Sequence, residues 1–208
     1  MSFIRWKIFF RGLVFLFLIA GGWHCKGPVR QTYTGITYEN GEGKSRSVKL
    51  PDGSRVMMST HTVIRMSQQF GKADRDLELD GEAVFTVNSE TGKPFIVHTR
   101  NLQIEVQVLG TLFRVDAYAK NAGEEVDLVS GKLKVTKSYH SDTDNEPEVL
   151  GPGQMVMINR DIDLMEKEKL DSTEWKTLLG KIQAMGIPLE ATRETSAASG
   201  GVDSAKKE

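Results

Sequence analysis

Short runs in which every second residue is apolar, cut about every 8 to 12 residues by Gly, Pro or Asp, constrain this chain more than any other feature. They are densest over residues 79–118, LDGEAVFTVNSETGKPFIVHTRNLQIEVQVLGTLFRVDAY. Side chains alternate faces along a strand, so Ile104, Val106 and Val108 interleaved with Gln103, Glu105 and Gln107 predict a strand with one buried and one wet face. Ala83 to Val87, Phe95 to His98, and Phe113 to Ala117 read the same way, rich in β-branched and aromatic residues. Leu79-Asp80-Gly81-Glu82 predicts a reversal, because Asp tolerates turn backbone and Gly supplies a positive φ. Gly92-Lys93-Pro94 resets the direction before Phe95, and Gly110-Thr111 separates the last two strands.

The flanks repeat the pattern. Val48 and Leu50 lead into the turn Pro51-Asp52-Gly53, followed by strands at Arg55 to Met58 and Val63 to Met66 with residues 59–62 between them. Val126 and Leu128, then Leu133 and Val135 beyond Ser130-Gly131, predict a hairpin. Residues 138–148 form an acidic polar loop expected to be mobile. Leu150-Gly151-Pro152-Gly153 is a further turn, and Met155 to Ile158 the last strand. No helical period intervenes before residue 160. Hairpins cannot bury their faces alone, so they must stack. The expected fold is all-β, short antiparallel hairpins stacked as a sandwich, roll or solenoid, after one N-terminal hydrophobic helix.

That helix is read from residues 1–25. Arg5, Lys7 and Arg11 precede an apolar run from Gly12 to Trp23, which sets the N-terminus in the cytoplasm and exports the rest. Residues 8–23 serve as an inner-membrane anchor, with Arg11 snorkelling and Trp23 at the far interface. Two readings stand beside it: a signal cleaved at Ala20-Gly21-Gly22, leaving a periplasmic or secreted body, and lipid attachment at Cys25. Residues 26–43 are a linker, 44–160 the β domain, 161–190 a charged segment with a possible helix carrying Trp175, Leu178, Leu179 and Ile182, and 191–208 a disordered tail.

Chemistry is sparse. A net charge of -1 offers no basic face for nucleic acid. The single Cys25 allows no internal disulfide. His24, His61, His98 and His140 stand at no metal-ligand spacing, and His98 reads as a surface residue closing a strand. No G-x-S-x-G elbow occurs. Asp142, Asp144, Asn145 and Glu146 lack the glycine and terminal Glu of an EF-hand. Glu78 and Glu82, around an exposed turn, read as solvated carboxylates. No enzyme, cofactor or metal is expected. A β body still binds partners through edge strands, and Tyr33 to Tyr38 and Met155 to Ile158 are the weak edge candidates.

Six ordered segments carry a family resemblance: LPDGS at Leu50 to Ser54, LDGEAVFTV at Leu79 to Val87, KPFIVHT at Lys93 to Thr99, VLGTLFRVDAY at Val108 to Tyr118, SGKLKV at Ser130 to Val135 and LGPGQMV at Leu150 to Val156. Over residues 38–158 the chain resembles the FecR family. Within them, Pro51, Asp52, Gly53, Gly81, Glu82, Phe85, Pro94, Phe95, Gly110, Thr111, Phe113, Gly131, Pro152 and Gly153 are the matching turn and core positions. The resemblance implies a periplasmic domain of an inner-membrane regulator of an alternative sigma factor. Its implied partners are the signalling domain of a TonB-dependent outer-membrane transporter, usually for iron, or another membrane regulator. The cytoplasmic anti-sigma part of that family is expected to be missing, since only residues 1–11 precede the span, and the C-terminal signalling module to be truncated after Pro188-Leu189-Glu190. An exported structural or ligand-binding β domain with no sigma-factor role is the alternative.

Overall fold

The computed structural model describes residue 33 and residues 35–88, 92–107 and 110–187. The hydrophobic helix expected within residues 1–25, most of the linker's first half and the tail from residue 191 lie outside the described residues. Among those described, no helix is long and apolar enough to cross a membrane.

Among the described residues thirteen strands form one sheet folded into two layers. The first layer is built from β1 (Ile36–Asn40), β4 (Thr62–Met66), the first half of β5 (Asp76–Val87), β6 (Phe95–His98), β7 (Leu102–Val106), β10 (Leu133–Lys137) and β11 (Glu148–Leu150). The second runs through β2 (Arg46–Lys49), β3 (Arg55–Met58), the second half of β5, β8 (Thr111–Ala117), β9 (Gly123–Ser130), β12 (Gln154–Asn159) and β13 (Leu164–Lys169). After β5 the chain lays down strands two at a time: β6–β7 in the first layer, β8–β9 in the second, β10–β11 in the first, β12–β13 in the second. The layers close over one core, so the sheet as a whole is nearly a barrel. The all-β class read from the sequence is what the chain adopts. Its hairpins stack alternately across two layers, and one pairing, β5 with β6, is parallel.

Three sequence expectations need correction. Leu79-Asp80-Gly81-Glu82 is no reversal: it lies inside β5, which continues unbroken for 12 residues. β5 keeps its course because it is paired along both flanks, by β4 and then β3 on one side and by β6 and then β8 on the other. Gly81 adopts φ +121, an extended mirror-image conformation that bends β5 from one layer into the other. The strands on either side of Ser130-Gly131 are no hairpin either: β9 pairs with β8 and β12, and β10 with β7 and β11. The chain turns a corner there, from the second layer to the first. Met155 to Ile158 is not the last strand, because β13 follows it antiparallel.

Gly81 and Gly131 mark equivalent corners. A Cβ on Gly81 would stand 2.5 Å from Thr62 Oγ1, and one on Gly131 2.3 Å from Thr111 Oγ1. At the first corner Thr62 Oγ1 donates to the Glu82 carbonyl (3.0 Å) and accepts from the Glu82 amide (3.1 Å), filling the bonds that the bend breaks.

The inward residues make the core. Phe85 stacks on Phe113 with centroids 5.0 Å apart, Phe95 meets Phe85 edge-on at 6.2 Å, and Phe70 meets Phe95 edge-on at 6.0 Å. All four rings are fully buried, each contributing roughly 1.5–3 kcal/mol by transfer from water. Helix α1 (Ser172–Ala184) starts at a capping box in which Asp171 accepts from the Thr173 and Glu174 amides while Glu174 accepts from the Asp171 amide. Trp175 and Gly180 both lie inside this helix. Leu178, Ile182 and Met185 bury against Val84, Leu112 and Val129 on the outer face of the second layer, a second core separate from the first.

Candidate interaction surface

Most of the matching turn and core positions serve the architecture. Pro51, Asp52 and Gly53 turn β2 into β3, and buried Asp52 accepts from the Ser54 amide (3.0 Å) and hydroxyl (2.8 Å). Asp52 also pairs with buried Arg75 at 3.3 Å. The same guanidinium donates to the carbonyls of Lys93 (2.7 Å) and Asn88 (2.9 Å) and lies 5.6 Å from the Phe95 ring centroid. Arg75 thus knots the 51–54 turn to the approach to β6, where exposed Pro94 precedes Phe95. Sequence reasoning passed over Arg75, and nothing short of knowing the register would have found it. Gly110 and buried Thr111 open β8, Gly131 overlies Thr111, and Pro152-Gly153 turn the chain from β11 into β12.

The outer face of the second layer holds the densest charge. Buried Arg114 bonds four carboxylates: Glu82 (2.6 Å), Glu125 (2.6 Å), Asp127 (2.7 Å) and Asp116 (3.0 Å). Adjacent outward positions of β5, β8 and β9 bring them together. Glu82 is therefore a member of this cluster and no solvated turn residue, while Glu78 lies in the first-layer half of β5, opposite His98. Burial opposes the charge of Arg114, yet Glu82 and Asp127 outweigh it and hold the guanidinium more basic than usual. Burial first, then Glu125, pushes the Asp127 carboxyl up to about 6. Asp116 is raised by burial too, with Arg114 and Lys181 of α1 drawing it back down. The cluster is built to be satisfied and covered. Each of the four carboxylates is engaged by the one guanidinium.

Among the described residues Glu124 is a buried carboxyl without a salt bridge: Thr99 Oγ1 and Asn101 Nδ2 (3.0 Å) donate to it, and burial raises its pKa while these bonds and Arg100 draw it back. Residues 138–148 are more tightly held than their composition suggests. Lys137 Nζ binds Ser141 Oγ and the Asp144 carbonyl (both 2.8 Å), and Ser141 Oγ donates to Asp163 (2.8 Å), tying the loop to the turn before β13. His98 sits 3.5 Å from Asp76 on the outer face of the first layer, His61 occupies the corner before β4 with φ 54, and His140 is exposed. Among the described residues no three His, Cys, Asp or Glu side chains share a place for a metal ion.

The sheet edges differ in how they are protected. β12 is flanked by β9 and β13, so it is interior, contrary to the sequence expectation. One second-layer edge is β13, with Glu166 and Glu168 on the outer face and Lys167 and Lys169 on the other. Antiparallel partners meet same face to same face, so a second β13 would set like charges opposite one another. β11 is only three residues long, and its Glu148 pairs with Lys167 across the seam between the two edges. β2 is basic at both ends, Arg46 and Lys49. β1 differs. Among the described residues it pairs with β4 alone, and its sequence Ile-Thr-Tyr-Glu-Asn has strong strand propensity and one charge. Arg46 Nη1 caps its Glu39 carbonyl at 2.6 Å, and the remaining edge is unguarded by charge. Ile36 and Tyr38 pack on the core, which fixes the strand in place.

Known proteins resemble this architecture. A family model described as FecR protein matches residues 36–134, from β1 into β10. Two crystal structures of a candidate anti-sigma factor from Parabacteroides distasonis ATCC 8503 share the fold, with TM-scores of 0.58 and 0.57 and 24% identity, covering 83% of this chain and 95% of theirs. No curated protein matches the chain.

Proposed function

We propose that the chain, which matches the FecR family model over residues 36–134, is a FecR-type regulator of a sigma factor, acting through protein–protein contacts of its β body. In this reading residues 8–23 hold it in the inner membrane, with the N-terminus cytoplasmic and the β body in the periplasm. It carries out no catalysis of its own. The observation that carries the reading is the match spanning β1 to β10, which includes the unguarded edge β1. The fold shared with a candidate anti-sigma factor adds support. β1 is the place where a strand from an envelope partner, such as the signalling domain of an outer-membrane transporter or another membrane regulator, extends the first layer. Backbone bonds then supply affinity and alternate side chains specificity.

Two measurements test this. Deleting the gene should change transcription of one promoter group sharing a single pair of −35 and −10 elements. A photo-crosslinking residue at Thr37 should capture a membrane or periplasmic protein that the same residue at Glu166 does not. A deletion that moves no promoter group removes the sigma-factor role and leaves an envelope binding domain. Equal capture from both positions removes β1 as the docking edge.

A further inference from the structure

On the outer face of the second layer, away from the Arg114 cluster, lies a concavity of about 330 Å³ lined by Lys49, Gly53, Arg55, Thr86 and Asn88. We propose that it binds a phosphate-type oxyanion. Lys49 stands directly opposite Arg55 across β2 and β3, and Arg55 directly opposite Thr86 across β3 and β5. Val48, Val56 and Phe85 on the same strands point into the core, so the three polar side chains share the opposite face. Like charges placed opposite each other weaken a strand pair unless something neutralises them. Among the described residues neither Lys49 nor Arg55 has a carboxylate partner. An anion seated between the two cations removes that repulsion.

The rest of the lining suits the same guest. Thr86 offers a hydroxyl, and the Asn88 side-chain amide is free to donate while its backbone is tied to Ser54 Oγ (3.1 Å) and Arg75 (2.9 Å). Gly53 leaves room for that amide, because a Cβ there would stand 3.0 Å from Asn88 Nδ2. Arg55 presents a planar fork of donors, Lys49 a point charge, and Thr86 and Asn88 neutral donors. Four potential donors around one concavity suit an oxyanion with several acceptor oxygens. The volume exceeds one phosphate and leaves room for a small attached body, near the lower limit of ligand sites. A soluble phosphate ester and a phospholipid headgroup both present this chemistry.

The full chain in neutral detergent is titrated with inorganic phosphate, then with micelles containing phosphatidylglycerol, against chloride at equal ionic strength. The readout is the nuclear magnetic resonance shift of the Asn88 side-chain amide and the Gly53 backbone amide. A saturable shift is expected, with Lys49→Gln or Arg55→Gln each weakening apparent affinity about tenfold, the loss of one charge-assisted contact. The double variant should abolish it, and Lys132→Gln, on an unrelated corner, should leave it unchanged. Both cations are exposed, so the variants keep the fold, and the free-state spectrum verifies this. Response to free phosphate identifies a soluble ester, and response to phosphatidylglycerol alone identifies a headgroup. A shift that chloride reproduces, or that survives in the double variant, overturns the proposal.

Discussion

Replacing Gly81 with Ala tests whether the bend in β5 depends on close approach as well as on backbone freedom. At φ +121 an L-residue is strained, by about 1–2 kcal/mol on the scale of left-handed conformations. The new Cβ would also lie 2.5 Å from Thr62 Oγ1 and 2.7 Å from Thr62 Cα, so backbone as well as side chain must move. That shift breaks the two bonds between Thr62 Oγ1 and Glu82, worth about 1 kcal/mol each. The sum is about 3–4 kcal/mol, a large share of the roughly 5–15 kcal/mol that holds a typical domain. Two other glycines separate the terms. Gly153 has φ +76 and nothing within 4 Å of a built Cβ, so Gly153→Ala should lose only about 1–2 kcal/mol. Gly41 has neither strain nor contact, so Gly41→Ala should stay within about 0.5 kcal/mol of the parent. Urea denaturation of the three variants, followed by far-ultraviolet circular dichroism at constant slope, gives the order. If Gly81→Ala loses no more than Gly153→Ala, the contact with Thr62 does not hold the corner.

Three further outcomes follow from the second layer and its helix. Arg114→Met strands four carboxylates and should destabilise by about 3–5 kcal/mol at neutral pH, and less near pH 4, where the carboxylates take up protons; equal losses at both pH values would dismiss the cluster. Asp127, raised to about 6, binds its proton more tightly folded than unfolded. Stability therefore falls as pH climbs from about 4 to about 6, and Asp127→Asn should flatten that slope in a series of denaturation midpoints. Asp171→Ala removes the capping box of α1 and should lower stability by about 1 kcal/mol, with a matching drop in helical ellipticity.

What the sequence disclosed was periodicity, and periodicity is local. It located eleven of the thirteen strands near their true places, because inward Phe85, Phe95, Phe113, Ile104 and Val135 alternate with polar neighbours. Pairing was beyond it: a chain that turns back on itself and one that crosses between layers leave the same alternation, so Ser130-Gly131 looked like a hairpin. Asp80-Gly81 carried a turn's composition, yet the dipeptide records only that φ is positive, a need that a bent strand shares. β13 went unread because an edge strand has one neighbour, and only Met165 of its six residues packs on the core. The matching family positions mark corners and core. The residues that lock them, Arg75 and Arg114, become visible only when register brings distant carboxylates together. Arg114 did leave a trace, since Arg114 and Asp116 alternate with Phe113, Val115 and Ala117 and Asp127 falls between Val126 and Leu128, whereas Glu82 reads as part of a turn.

The unbroken run of β5 through both layers has a consequence for cooperativity. Its first half is hydrogen-bonded to β4 and β6, its second to β3 and β8, and no loop lies between the halves. Opening either layer therefore frays the backbone of the other. Amide hydrogens across residues 76–87 should exchange with one shared free energy equal to that of global unfolding, while those of α1 exchange through a smaller, independent opening.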